Sequence, residues 1–115
     1  MTIAPEILET IMPEKTVDLI FDDKFRLSAE MRNELIRTCD IEFINLGERV
    51  LVVCNYKDRE AYEAAAKDVM NKQMLDFGAA KVNDEHMVSG TLMTAASAES
   101  YHNLMSANQI PHDYL

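Results

Sequence analysis

The stretch IEFINLGERVLVVCNY, residues 41–56, decides the predicted fold because it contains two β-rich runs around a short turn. Aliphatic and aromatic side chains dominate both runs, as is typical of strands buried in a sheet. Gly47 lies between them, where a tight hairpin needs a residue that can adopt a positive φ. The stretch therefore predicts a β-hairpin that contains the central strand of the domain.

A helix is predicted directly after the hairpin. Asp58 is a natural N-cap, and Glu60 places a negative charge in the first turn, where the helix dipole favours it. Gly78 is the predicted C-terminal stop. The side chains at helical spacing on the predicted inner face are Tyr62, Ala66, Val69, Met70 and Phe77.

Three elements are predicted before the hairpin. APEILETIMPE, residues 4–14, has the pattern of a short amphipathic helix. TVDLIF, residues 16–21, alternates in hydrophobicity and predicts a strand. Ser28 is a natural N-cap for AEMRNELIRTC, residues 29–39, which predicts a helix with Cys39 on its apolar face.

Two elements are predicted near the C-terminal end. HMVSGTLMT, residues 86–94, is rich in small and β-branched side chains and predicts a strand. Ser97 is the predicted cap of a last helix that continues to about Asn108, and Pro111 prevents its extension. The final HDYL, residues 112–115, is predicted to be loose.

The order α-β-α-β-β-α-β-α predicts an α+β fold. Its inner six elements match the split β-α-β pattern of a ferredoxin-like sandwich, with a four-stranded antiparallel sheet and an extra helix at each terminus. We expect one domain over residues 1–115, with an N-terminal helical extension at 1–14 and a C-terminal helix and tail at 97–115. A different α+β topology with the same elements is the alternative.

The charge of the chain indicates what kind of partner it suits. Its 115 residues have a formal net charge of −9, and no Lys or Arg follows Lys81. Binding to nucleic-acid phosphates depends on Lys and Arg, so direct nucleic-acid binding is not expected. An acidic surface instead suits a protein partner with a basic surface.

Hydrophobicity predicts no association with a membrane. The longest wholly apolar run, VLVVC at residues 50–54, is far shorter than the roughly 20 residues of a membrane-spanning helix. Residues 1–15 contain Glu6 and Glu9 and no basic leader, so they lack the pattern of a secretory signal or a transit peptide. We therefore expect a cytoplasmic location.

The sequence predicts no cofactor and no metal. His86, His102 and His112 are widely spaced, and the compact cluster of residues 84–86 has the composition of a polar turn. The chain contains neither the GxGxxG nor the GxxxxGK pattern of the loops that bind nucleotide phosphates, since its three glycines are far apart in the sequence.

Cys54 is the candidate nucleophile, since it precedes a helix start and has Lys57 and Arg59 nearby, and such surroundings lower a thiol pKa. We expect it instead to be a buried residue at the end of a strand, because no general base has a recognisable pattern around it. Cys39 comes close to Cys54 if the preceding helix packs over the hairpin. A thiol-dependent enzyme that uses Cys54 is one alternative function.

The function predicted from these features is that of a non-enzymatic, acidic protein-binding domain. It would act as a small inhibitor or adaptor on a basic surface of a partner protein, as phage-encoded anti-defence proteins do. A homodimeric regulatory or small-molecule-sensing domain is the other alternative. The predicted contacts are carboxylates outside the apolar stripes: Asp22, Asp23, Glu30, Glu34, Asp84 and Glu85.

Overall fold

The computed structural model describes residues 3–71 and 80–114, and for residues 68–71 it describes the backbone alone. Within these ranges the chain forms four helices and five strands. In chain order the elements are α1 (Pro5–Thr10), α2 (Ala29–Thr38), β1 (Cys39–Asn45), β2 (Arg49–Tyr56), α3 (Arg59–Asn71), β3 (Ala80–Asn83), β4 (Val88–Thr94), α4 (Ala95–Ala107) and β5 (Asp113–Tyr114).

The predicted hairpin is confirmed as β1 and β2. Gly47 has a φ of 98°, and its amide donates to Asn45 Oδ1 at 2.9 Å. The amide of Leu46 donates to the carbonyl of Arg49 at 2.8 Å, which closes the turn. A positive φ is inexpensive for glycine alone, so this residue allows the reversal of the chain.

The five strands form one mixed sheet in the order β3-β4-β2-β1-β5. The neighbours from β3 to β1 are antiparallel, whereas β5 runs parallel to β1 through Glu42 and Phe43. β2 therefore lies in the middle of the sheet and is paired along both of its edges.

The predicted α+β class is confirmed, but the ferredoxin-like four-stranded antiparallel sheet is not. The predicted strand at residues 16–21 is wrong, because this segment contributes only a single bridge from Val17 to Met93. Beyond it, the amides of Leu19 and Phe21 donate to the hydroxyls of Ser97 and Ser100. Side chains of α4 thus satisfy backbone donors that a strand would pair with a neighbouring strand.

Apolar side chains are buried on both faces of the sheet. On one face, Phe43 and Val52 pack in a cluster with side chains of α2, α4 and the segment before α2. On the other face, Leu51 and Leu92 pack with side chains of α1 and with Ile11 just after it. The predicted amphipathic helix near the N-terminus is confirmed, and it covers the face opposite to α2 and α4.

Two expectations for the C-terminal end are wrong. The cap of α4 is Thr94, whose hydroxyl accepts from the amide of Ser97, and Ser97 itself is buried within the first turn. The end of the chain is not loose, since Asp113 and Tyr114 pair with β1. Leu115 lies outside the described residues.

The predicted caps of the other two long helices are confirmed. Ser28 Oγ accepts from the amide of Met31 at 3.2 Å, and Asp58 Oδ1 accepts from the amide of Ala61 at 2.7 Å. On the inner face of α3, Tyr62 is buried and Ala66 is partly buried. The other residues predicted for this face, and the glycine predicted to end the helix, lie outside the described side chains: Val69, Met70, Phe77 and Gly78.

Candidate functional site

A groove between α2 and α3 brings together two of the predicted partner-binding carboxylates. Its volume is about 480 Å³, within the range of pockets that bind small molecules. Leucine and alanine side chains form much of its surface. The two charged residues among the described lining residues are both glutamates. The described residues that line it are Leu27, Glu30, Met31, Glu34, Leu35, Thr38, Ala61 and Ala64.

Glu30 and Glu34 reach this groove because they lie one helical turn apart on α2. Glu34 Oε1 accepts from Arg37 Nη2 at 2.6 Å, and Arg37 also lies 3.9 Å from Asp58. Hydrogen bonding and attraction from Glu34 raise the pKa of Arg37. All of these side chains are substantially exposed, so the ion pairs contribute little stability and leave the carboxylates accessible to a partner.

Several large apolar side chains between residues 19 and 31 are exposed to solvent. Leu19, Ile20, Phe25 and Met31 are each more than half exposed, and Met31 also lines the groove. Exposed apolar surface is typical of interaction sites where it is contiguous. The sequence did not indicate this exposure, because the alternation at residues 16–21 predicted a strand.

Asn108 holds the loop that carries Phe25 against the body of the protein. Its Oδ1 accepts from the amide of Leu27 at 2.8 Å, and its Nδ2 donates to the carbonyl of Phe25 at 3.0 Å. The carbonyl of Asn108 accepts from Arg32 Nε at 2.9 Å. The buried amide thus fixes both the loop and the start of α2, which together border the groove.

The other four predicted contacts lie elsewhere. Asp22 and Asp23 are in an exposed turn, where Asp22 Oδ1 accepts from the amide of Lys24. Asp84 and Glu85 are in the exposed turn between β3 and β4, and Asp84 is paired with Arg59 at 3.2 Å. The structure therefore selects Glu30 and Glu34 as the pair that borders a concave surface.

Cys54 lies near the end of β2, in agreement with the expectation of a residue at the end of a strand. Lys57 and Arg59, the nearby cations, form ion pairs with Asp40 and Asp84. The neighbours of Cys54 are instead Ser89, directly opposite on β4, and Cys39, diagonally placed on β1. Cys54 is partly buried and Cys39 is buried.

The surroundings act differently on the pKa of each thiol. Interaction with the Cys39 thiol is the main cause that lowers the pKa of Cys54, and the hydroxyls of Ser89 and Tyr56 act in the same direction, whereas burial opposes them. The pKa of Cys39 is raised by its interaction with Cys54 and by burial. The same buried surroundings raise the pKa of Tyr56. Cys54 is therefore the thiol that ionises first.

His102 and His112 form a hydrogen-bonded pair that packs against Phe43. His112 Nδ1 lies 2.8 Å from the carbonyl of Ile110, and His112 Nε2 lies 2.7 Å from His102 Nδ1. Because a carbonyl only accepts, the network places a hydrogen on His112 Nδ1, and His102 then donates to His112 Nε2 when both rings are neutral. Both nitrogens of His112 are thus engaged away from Cys39.

A smaller cavity of about 360 Å³ lies beside the first residues of β1. Cys39, Lys57 and His112 are among the residues that line it. In the part of the chain that the structure describes, no group of three or more His, Cys, Asp or Glu side chains is placed to hold a metal ion. The cavity brings the Cys39 thiol and the His112 imidazole near each other. Both nitrogens of His112 are hydrogen-bonded to other groups, so the two side chains do not form the hydrogen bond that a cysteine–histidine dyad requires.

Comparison with known proteins finds no matching family model, no matching curated protein and no matching solved structure. Among the described residues, no helix is long and apolar enough to cross a membrane. A functional assignment must therefore come from the geometry and chemistry of the surface itself.

Proposed function

We propose that this protein is a non-enzymatic binding domain that docks on a basic surface of a partner protein. The observation that supports this function best is the groove between α2 and α3, where Glu30 and Glu34 border an apolar floor. The proposal includes a cytoplasmic location. It also includes the role of an inhibitor or adaptor, the role that small phage-encoded proteins have when they block host defence.

The shape of the groove favours a partner helix. Ala61 and Ala64 lie one turn apart on α3, and their small side chains allow another helix to approach closely. Leu35 and Met31 supply apolar contacts from α2. An amphipathic helix that inserts apolar side chains and places Lys or Arg beside the glutamates would match both the surface and its charge.

A labelled model peptide tests the groove directly. The probe is a helical peptide with leucines at i, i+3, i+4 and i+7 and with lysines flanking that stripe. We expect Glu30→Gln combined with Glu34→Gln to weaken its binding about three- to tenfold in fluorescence anisotropy, since exposed charge pairs contribute up to about 1 kcal/mol each. Raising NaCl from about 0.05 M to about 0.5 M should also weaken binding.

The matched control is Asp22→Asn combined with Asp23→Asn, which removes the same charge outside the groove. We expect this control to change the affinity for the peptide less than twofold. Equal weakening by both double variants, or equal binding of a peptide with glutamates in place of the lysines, would contradict a specific acidic groove. Thermal melting should confirm that each variant remains folded.

A homodimer is the second candidate function, and the exposed Leu19, Ile20 and Phe25 favour it. Exposed apolar surface of this kind is commonly buried between subunits. Light scattering over a range of concentrations distinguishes the two. A mass that rises to that of a dimer, and falls after Ile20→Lys, supports self-association, whereas a constant monomer mass contradicts it.

A further inference from the structure

We infer that Cys39 and Cys54 form an oxidation site in which a hydroperoxide converts the two thiols into a disulfide between β1 and β2. Their position in the sheet supports this inference. Cys39 is opposite Tyr56 and Ile41 is opposite Cys54, so the two cysteines are diagonal neighbours. Side chains at these register positions point to the same face, where both cysteines belong to the same apolar cluster.

The surroundings assign a different role to each thiol. Cys54 is partly buried and lies opposite Ser89 on β4, whose hydroxyl lowers the pKa of the Cys54 thiol. These contacts favour the thiolate, which is the form that attacks an oxidant. Cys39 is more deeply buried and lines the cavity of about 360 Å³. Cys54 is therefore the attacking thiol, and Cys39 is the resolving thiol.

The reaction needs one molecule of hydroperoxide. The Cys54 thiolate attacks one oxygen of hydrogen peroxide, the O–O bond breaks, and the hydroxide that leaves takes up the proton that Cys54 had lost, giving water and a sulfenic acid. Cys39 then attacks the Cys54 sulfur and loses its proton as the S–O bond breaks, which releases a second water. Two thiols and one peroxide give one disulfide and two waters.

The bond would be easily reversed. Diagonal neighbours on antiparallel strands are about 7–8 Å apart at Cα, whereas a disulfide usually needs a Cα separation below about 7 Å. Bond formation must therefore draw β1 and β2 slightly out of their register. Such a disulfide is readily reduced, as is typical of a regulatory bond rather than a structural one.

Peptide mapping of the folded protein tests this inference. After treatment with hydrogen peroxide and alkylation of the remaining thiols, trypsin should release TCDIEFINLGER, residues 38–49, joined to VLVVCNYK, residues 50–57. The intact chain should lose two hydrogen atoms, and dithiothreitol should restore both thiols. Oxidation that yields only unlinked peptides, or only disulfides between two chains, would overturn the proposal.

Single serine variants separate the two roles. Cys39→Ser should stop at a sulfenic acid on Cys54 that dimedone traps, whereas Cys54→Ser should consume peroxide at least about tenfold more slowly, because its remaining thiol is buried and burial still raises the pKa of that thiol. Equal rates in the two variants would refute the assigned roles. The unmodified chain supplies an independent measurement, since its disulfide must form faster when folded than in urea, and the opposite order would contradict the inference.

Discussion

Replacing Phe43 with alanine is expected to lower the free energy of unfolding by about 3–5 kcal/mol, the usual cost of removing a fully buried aromatic ring. The side chain of Phe43 is 0% exposed and lies on β1 under α4 and β5. Its ring is 5.7 Å from that of Tyr101 and stacks on that of Tyr114 at 5.4 Å. The substitution therefore leaves a cavity where three elements meet.

Urea denaturation followed by circular dichroism measures this loss. Phe25→Ala is the matched control, because it deletes the same ring at a position that is 57% exposed. We expect the control to change stability by no more than about 0.5 kcal/mol. Similar losses from the two variants would show that the ring of Phe43 is not the centre of this part of the core.

Replacing Gly90 with alanine is the second substitution with a large expected effect. A Cβ atom at position 90 would lie 2.3 Å from the carbonyl oxygen of Ile11 and 3.1 Å from its Cβ. Since the nearest atom belongs to the backbone, no side-chain rotation relieves this contact. We expect a loss of about 2–3 kcal/mol, in the range for overpacking of a core.

Gly47→Ala separates this steric effect from the general effect of replacing glycine. Position 47 has open space around it but a φ of +98°, so we expect backbone strain of about 1–2 kcal/mol and no displacement of neighbouring elements. Gly90→Ala should in addition accelerate amide exchange in α1, because the end of that helix must move away from β4. Unchanged exchange in α1, together with unchanged stability, would contradict the close approach of Ile11.

Local signals in the sequence were sufficient to predict several elements correctly. Gly47 marks a turn between two neighbouring strands, and Ser28 and Asp58 each accept a hydrogen bond from an amide three residues ahead. Interactions within a few residues of the chain determine these features, so residue types in order reveal them.

Distant partners explain why other predictions were wrong. The alternation at residues 16–21 has the same pattern in a strand and in an extended segment, and the choice depends on Ser97 and Ser100, almost 80 residues further along. The strand Asp113–Tyr114 is too short to show any periodicity, and parallel pairing with β1 holds it in place. Tertiary contacts therefore override the local pattern in both segments.

The candidate sites also combine features that local sequence predicts with features that depend on distant contacts. The spacing of Glu30 and Glu34 placed them on one face of α2, but the groove also needs Ala61 and Ala64 from α3, whose packing the sequence leaves open. Cys39 was predicted to end a helix, and the structure makes it the first residue of β1. That difference extends the hairpin register far enough to bring Cys39 beside Cys54.

The central position of β2 has a consequence for partial unfolding. β3 and β5 are at the two ends of the sheet, and each is hydrogen-bonded to one neighbouring strand within the sheet. Loss of either edge strand would leave β4, β2 and β1 paired with one another. The residues proposed to form the disulfide lie on β1 and β2, and oxidation would therefore join two strands of this central unit.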